Sequence, residues 1–345
     1  AEWISEMREQ VRLWFYSMLF VGVTLHDRAP YERVLAYERV VGEDGTTFSK
    51  TGYMINFDDA VDTVGADVIR YLFAAANVAN DVRFGYGLGE MAKRRLLVFW
   101  NVYAFYANYA RLDQPDLSAV SGIPVGLTES DRWLLSLTYN FVSESTGFMD
   151  EYDTASVVRL FDDFVTEMSN WYVRTNRRRF WKDGSSEDKT ACYWTLYQTL
   201  KALTQVMAPI IPFMTESIWQ NVVRPTEPNS PISVHLSEWP KLDEELGNAE
   251  ILEQMENART VVSLALRLRK EAGLKVRQPL ATLYVVAEQP VKDSLTDLVE
   301  LVQEEVNVRA IEWLDSDESL TVPSLILDPQ KAGPVLRDSL PKVRS

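Results

Sequence analysis

Asn170-Trp171-Tyr172-Val173-Arg174-Thr175-Asn176-Arg177-Arg178-Arg179-Phe180-Trp181 puts four arginines and four aromatic residues into twelve positions without an acid, in a chain of formal net charge -15. The stretch closes the second of three long runs of helical periodicity, 131–150, 154–181 and 187–207, which short polar turns separate. Helices of that length joined by short turns fold back on one another, so the three runs predict an antiparallel bundle. Two readings of the basic end stay open on spacing alone. In one, splayed bases stack on the aromatic faces while guanidinium groups pair with phosphate, which suits unpaired RNA. In the other, Trp171, Phe180 and Trp181 belong to a core, and the arginines snorkel or pair with acidic neighbours.

Upstream of the bundle, Glu6–Phe20 has helical spacing, a turn follows at Asp27-Arg28-Ala29-Pro30, and Arg33–Val41 reads as a strand. Glu43-Asp44-Gly45 is a turn signal, and Thr46–Tyr53 a flexible loop. Asp58–Ala76 returns to helical spacing with a junction at Gly65-Ala66-Asp67, and Glu90–Arg111 is a second long helix. The aromatics of Leu96–Tyr109 recur at helical intervals, which favours core packing over a stacking platform. Pro115, Gly122, Pro124 and Gly126 mark a linker, and Thr128-Glu129-Ser130-Asp131 is a cap for the next helix. Downstream, Pro209 and Pro212 break the third bundle helix before Phe213–Val222 resumes, then come a loop over Pro225–Pro240 and an amphipathic helix over Ala249–Ala272. A small α/β element ends the chain, with strands expected over Thr282–Ala287, Ala310–Leu314 and Leu320–Val322 and a helix over Val291–Glu304. The fold class expected is mainly α.

Composition narrows the function. A length of 345 residues suits two or three domains, and 46% hydrophobic with 25% charged residues is a globular balance. The single cysteine, Cys192, leaves no intrachain disulfide or Cys-cluster zinc site and points to a reducing, cytoplasmic setting. It has no His or Lys beside it in sequence, so no reactivity is assigned to it. The two histidines, His26 and His235, lie far apart, and no metal site is expected. No run approaches the roughly 20 apolar residues of a membrane span. The start, Ala1-Glu2-Trp3, has neither an initiator Met nor a signal pattern, and suggests a fragment or a truncated gene product. A pI of about 4.7 argues against a general nucleic-acid binder, DNA included, yet it is compatible with one basic face and a specific RNA.

The blocks Trp14-Phe15-Tyr16, Phe48-Ser49-Lys50-Thr51, Gly65-Ala66-Asp67-Val68-Ile69-Arg70, Phe84-Gly85-Tyr86-Gly87 and Trp100-Asn101-Val102-Tyr103 come in the order found in isoleucyl-tRNA synthetases, a class I family. Asn170–Trp181, Ala208–Trp219, His235–Pro240 and Lys275-Val276-Arg277-Gln278-Pro279-Leu280 agree. Nearly the whole chain resembles that family, and the pairing of the arginine block with the Val-Arg-Gln-Pro-Leu block favours the isoleucyl type over valyl and leucyl relatives.

The resemblance implies a remnant of a class I Rossmann catalytic domain over residues 1–57 and a stem-contact helical segment over 58–125. An anticodon-binding helical bundle over 126–272 and a C-terminal α/β junction element over 273–345 would follow. It implies an ATP- and magnesium-dependent isoleucine–tRNA ligase, with isoleucine, ATP and an isoleucine-accepting tRNA as partners. The catalytic half with its HIGH signature and the inserted editing domain would lie outside this chain, where no His-x-Gly-His occurs. Activation makes an adenylate and expels pyrophosphate, and mobile lysines of the KMSKS loop stabilise the charge developing on the phosphates. The aligned residues here are Thr47, Phe48, Ser49, Lys50 and Thr51, so Lys50 and Ser49 remain as catalytic candidates while Thr47 replaces the first lysine. By analogy with single oxyanion donors, such a loss costs about 3–4 kcal/mol of transition-state stabilisation.

Around the same site, the family's Glu-Gly-x-Asp-Gln-x-Arg-Gly-Trp-Phe reads Glu6-Met7-Arg8-Glu9-Gln10-Val11-Arg12-Leu13-Trp14-Phe15, and both glycines have become bulky. The residues expected before and after the signature loop are also altered, to Tyr37-Glu38 and to Gly52-Tyr53-Met54. Glu6, Gln10 and Arg12 stay as candidate adenylate contacts. Two explanations stand: a non-catalytic paralogue that acts as an RNA- or protein-binding module, or a variant whose other half compensates. The RNA half is in better order. Its leading tRNA contacts are Trp171, Arg174, Arg177, Arg178, Arg179 and Trp181. In a second basic stretch, Arg259 and Arg267 read as solvated helix charges, whereas the family block favours a role for Lys275 and Arg277.

Overall fold

Residues Trp3–Met7 form strand β1 rather than the start of a helix, because they pair in parallel, Trp3 opposite Arg33 through Met7 opposite Tyr37, with strand β2, Arg33–Tyr37. The helix expected over Glu6–Phe20 is therefore displaced. A 3-10 turn, Arg8–Arg12, leads into helix α1, Trp14–His26, and the Gln10 side chain accepts the Trp14 N–H at 3.1 Å. Helical spacing in the sequence lost here to a partner strand some thirty residues away. The strand expected over Arg33–Val41 is two strands with different partners: β3, Val40–Gly42, pairs in parallel with β4, Val82–Phe84. Helices α2, Phe57–Val64, and α3, Ala66–Ala74, cross between them, joined at Gly65, whose φ of 96° suits glycine.

The structure, a computed structural model, describes residues 1–318 other than 118, 119, 121, 183 and 185. The strand expected over Leu320–Val322 lies outside the described residues. Two compact units divide the chain, Ala1–Leu252 and Glu253–Ser345.

In the first unit, helix α4, Tyr86–Asp113, runs into a bundle of α5, Glu129–Asp150, α6 with α7, Thr154–Glu167 and Arg174–Trp181, and α8, Glu187–Met207. α5 packs against α6 and α8, and α4 against α6 and α8. The core is dense and apolar: Leu134, Leu196, Leu200, Leu203 and Val206 are fully buried, each worth about 1.5–3 kcal/mol on burial. The aromatics of α4 join it, as their spacing predicts. Phe99 meets Phe161 edge-on at 5.2 Å and Phe105 meets Phe180 at 5.0 Å.

Pro212 opens helix α9, Pro212–Ile218, after the break that the two prolines predict. The Gly65–Arg70 block explains how that break is held. The Asp67 carboxylate accepts the Phe213 and Met214 N–H groups at 3.2 and 2.7 Å, and Arg70 donates to the Ile210 and Pro209 carbonyls at 3.2 and 2.6 Å. One acid thus caps the start of α9 while one cation satisfies carbonyls of the turn between α8 and α9. A π turn, Trp219–Val223, and a short helix α10, Arg224–Thr226, follow.

Helix α11, Ala249–Glu271, contains the boundary between the units. In the second unit, β5, Leu280–Val286, pairs in parallel with β6, Val308–Leu314. The single helix expected over Val291–Glu304 is split into α12, Gln289–Ser294, and α13, Val299–Val306, by a 3-10 turn over Thr296–Leu298. Leu295 and Leu298 are both buried at that turn.

Candidate nucleic-acid interface

The arginine block resolves into an inner and an outer set. A π turn over Met168–Val173 separates α6 from α7. Three of its consecutive residues, Trp171, Tyr172 and Val173, are all buried. Trp171 is 7% exposed and Phe180 1%, so both belong to the core, as the second of the two readings has it. Trp171 is thus withdrawn from the set of surface contacts expected from the sequence. Arg174, Arg177 and Arg178 are exposed, and Trp181 is 57% exposed with its indole N–H donating to the Tyr109 hydroxyl at 2.7 Å. The Arg174 guanidinium stands 5.5 Å from the Trp171 ring centroid.

Arg179 is a correction of the same kind. It is 8% exposed and forms a two-point ion pair with the fully buried Asp131, Nη1 to Oδ1 and Nη2 to Oδ2 both at 2.8 Å. Its Nε lies 2.8 Å from Asp188 Oδ1, and Nη2 donates to the Asp188 carbonyl at 2.8 Å. The Tyr172 hydroxyl donates to Asp131 at 2.6 Å, and the Thr128 N–H and hydroxyl each donate to it at 2.8 Å. Arg179 therefore pins the starts of α5 and α8 to α7 instead of reaching a ligand. The sequence shows Asp131 as a capping residue, but nothing in it signals a cation 48 positions on.

Cys192 lies in the same interior, and burial pushes its thiol up to about 12. At pH 8 it is a neutral thiol without access to reagent. Labelling with an aromatic disulfide at that pH should be negligible in the native chain and complete in urea; labelling of the folded chain within minutes would contradict this burial.

The second basic stretch also divides. Arg259 pairs with Glu256 at 3.4 Å and Arg267 with Glu271 at 3.7 Å, in line with solvated helix charges. Arg269 is 5% exposed and donates to the carbonyls of Lys275, Gln278 and Asn307 at 3.2, 3.0 and 2.9 Å. It braces the loop that presents Lys275 and Arg277, both exposed, to solvent.

At the other candidate site, Ser49 and Lys50 sit exposed in a turn closed by Ser49 N–H to the Tyr53 carbonyl at 3.1 Å, with Phe48 and Tyr53 ring centroids 5.6 Å apart. Glu6, Gln10 and Arg12 share no helix face, since they fall on a strand and a 3-10 turn. The Glu6 carboxylate accepts the Met7 N–H at 3.0 Å and the Tyr37 hydroxyl at 3.3 Å. Burial and then the Glu6 charge raise the Tyr37 phenol above its usual value. Gln10 caps α1, and Arg12 is exposed. Among the described residues no hydrogen bond or ion pair joins this group to the Ser49–Lys50 turn. No cluster of potential metal ligands occurs among them either.

Residues 1–85 match the family described as tRNA synthetases class I (I, L, M and V), and residues 131–285 match the anticodon-binding domain of tRNA ligase. The chain belongs to the class I tRNA synthetases. Isoleucine–tRNA ligase of Thermus thermophilus is 36% identical over 356 aligned residues, covering 100% of this chain and 34% of the relative. That of Streptomyces coelicolor is 37% identical over 315, covering 90% and 29%. The chain thus spans about a third of the length of the curated relatives it matches. In fold it is similar to an Agrobacterium radiobacter leucyl-tRNA synthetase solved with tRNA and LeuAMS, at TM-score 0.56 and 17% identity over 72% of this chain and 30% of that one. A free-state methionyl-tRNA synthetase of Mycobacterium tuberculosis gives 0.50 and 11%, over 70% and 48%.

For this class I chain the anticodon-domain match begins at Asp131, the buried partner of Arg179, and takes in the whole arginine block and the Lys275–Arg277 loop. Among the described residues no helix is long and apolar enough to cross a membrane.

Proposed function

We propose that this chain supplies tRNA and anticodon recognition to an isoleucine–tRNA ligase, which joins isoleucine to its tRNA with conversion of ATP to AMP and pyrophosphate in the cytoplasm. The observation that carries the reading is the outer set of the arginine block. In a chain of net charge -15, the solvent-facing residues Arg174, Arg177, Arg178 and Trp181 form a basic, aromatic surface inside the segment that matches an anticodon-binding domain. Guanidinium groups would meet phosphates and the indole would offer a face to an unstacked base. Lys275 and Arg277 are proposed as further phosphate contacts. The corresponding assignment is residues 1–57 to the catalytic remnant, 58–125 to stem contact, 126–272 to the anticodon bundle and 273–345 to the junction element.

The test is equilibrium binding to isoleucine-accepting tRNA and to the same tRNA with an altered anticodon, at two salt concentrations. Affinity that falls with salt and with the anticodon change is expected. Binding indifferent to both would sink the proposal.

ATP, as its magnesium complex, is proposed to meet Lys50 and Ser49, with Gln10 and Arg12 nearby, only in a complete enzyme. Thr47 in place of a lysine and the engagement of Glu6 by Tyr37 favour a second reading, a non-catalytic paralogue that binds RNA. Isoleucine-dependent pyrophosphate exchange by this chain alone should stay at background, and Thr47→Lys should not raise it. Exchange above background in the unmodified chain would refute that expectation.

A further inference from the structure

Helix α4 begins without a cap of its own. Its N-cap residue is Gly85, which has no side chain to offer, and 28 helical residues run behind it. The cap comes from another part of the chain: the Glu43 carboxylate accepts the Leu88 N–H at 2.8 Å, one of the donors that a helix start leaves unpaired. Gly85 and Gly87 leave the room for it. A Cβ at Gly85 would fall 2.6 Å from Glu43 Oε1 and one at Gly87 3.0 Å, so the two glycines and the acid make one fitted contact. The carboxylate also stands at the favourable end of the helix dipole.

Glu43 follows β3 directly, at the base of the loop that carries Ser49 and Lys50. β3 and β4 end together, Gly42 opposite Phe84, and the next residue of each strand takes part in this contact. Arg83 Nη1 also donates to the Glu43 carbonyl at 3.4 Å. Beyond Glu43 the loop holds itself together. The Thr46 N–H and hydroxyl both donate to Asp44 at 2.8 Å, the Gly42 N–H donates to the Thr46 carbonyl at 2.8 Å, and the Gly52 N–H to the Ser49 carbonyl at 3.2 Å. Among the described residues the hydrogen bonds of 44–53 stay within 41–53, so the loop's hydrogen-bonded tie beyond the β3–β4 pair runs through Glu43.

We propose that Glu43 is a positioning residue for this loop: its carboxylate, seated on the first turn of α4, fixes where Ser49 and Lys50 stand. What the loop is positioned for rests on the proposed meeting of ATP with Lys50 and Ser49. The latch itself is measured without nucleotide, so failure of ATP to bind would leave it standing, and its own failure would leave the ATP reading untouched.

The test is deuterium uptake by the full chain over 44–53 and over 86–92. Glu43→Ala should speed uptake in both segments by about five- to tenfold, the loss of one capping hydrogen bond and its charge. Glu43→Gln keeps an acceptor oxygen at the same reach and should stay within about twofold of the parent. Gly85→Ser separates capping from positioning. The serine hydroxyl can accept the same Leu88 N–H while its Cβ displaces Glu43, so uptake over 86–92 should stay near the parent value while 44–53 exchanges as fast as in Glu43→Ala. Circular dichroism should match the parent in all three, because Glu43 is exposed and each change leaves the helix core intact. Uptake over 44–53 unmoved by Glu43→Ala would overturn the proposal, as would equal speeding by Glu43→Gln. So would parent-like uptake over 44–53 in Gly85→Ser, which would make Glu43 a helix cap and nothing more.

Discussion

Arg179→Ala is expected to destabilise the helical unit by about 3–5 kcal/mol, the usual cost of leaving one member of a buried ion pair alone. The partner left behind is Asp131, fully buried in the core of the bundle. It would still accept from Thr128 and Tyr172, but its charge would have lost both guanidinium contacts. Arg179→Lys keeps the charge yet cannot reproduce the two-point geometry, so a smaller loss of about 1.5–3 kcal/mol is expected, one charged hydrogen bond's worth. The double variant Asp131→Ala with Arg179→Ala should cost less than the sum of its singles, by about 1–3 kcal/mol, because neither partner is then stranded. Urea denaturation of the unmodified chain, Arg179→Ala, Arg179→Lys, Asp131→Ala and the double variant measures this. A cost under about 1 kcal/mol for Arg179→Ala, or strict additivity, would show that the pair is not what holds α5, α7 and α8 together.

Paired replacement of Arg177 and Arg178 by alanine should leave the fold intact and weaken binding to isoleucine-accepting tRNA. Both side chains are exposed, so their removal strands no buried group. If each meets a phosphate, the slope of log affinity against log salt should fall by about 1.5–2 and the affinity at low salt by about ten- to a hundredfold. Trp181→Ala offers a contrast: a stacking contact carries little charge, so its loss should lower affinity while leaving the salt slope unchanged. Its indole also bonds Tyr109, which makes Trp181→Phe the matched control for packing. Unchanged tRNA affinity in the arginine pair, with native circular dichroism, would move the chain to the class of helical modules with another partner.

The bundle was legible because its information is local and repeated. Runs 131–150, 154–181 and 187–207 carry apolar positions at helical spacing, and helices α5 to α8 occupy those bounds to within two residues. The proline break before α9 and the cap at Thr128 are equally local, for each depends on the backbone of a few neighbouring residues. The first 85 residues were harder to read. Strand β1 exists because β2 lies beside it, and Arg33–Val41 is cut in two because β3 turns to a different partner, β4. Strand pairing is a property of two distant segments, so spacing within one of them does not reveal it.

Residue types and order alone placed this chain among the class I synthetases and marked one basic, aromatic segment for RNA. Tertiary structure alone decided which of those residues face outward. Arg179 and Arg178 are adjacent and chemically identical, yet one is locked to Asp131 and the other is in solvent. Trp171 and Trp181 divide in the same way, 7% against 57% exposed. The reason is geometric: neighbouring residues of a helix point about 100° apart, and burial of a charge then depends on whether a carboxylate waits on the helix opposite.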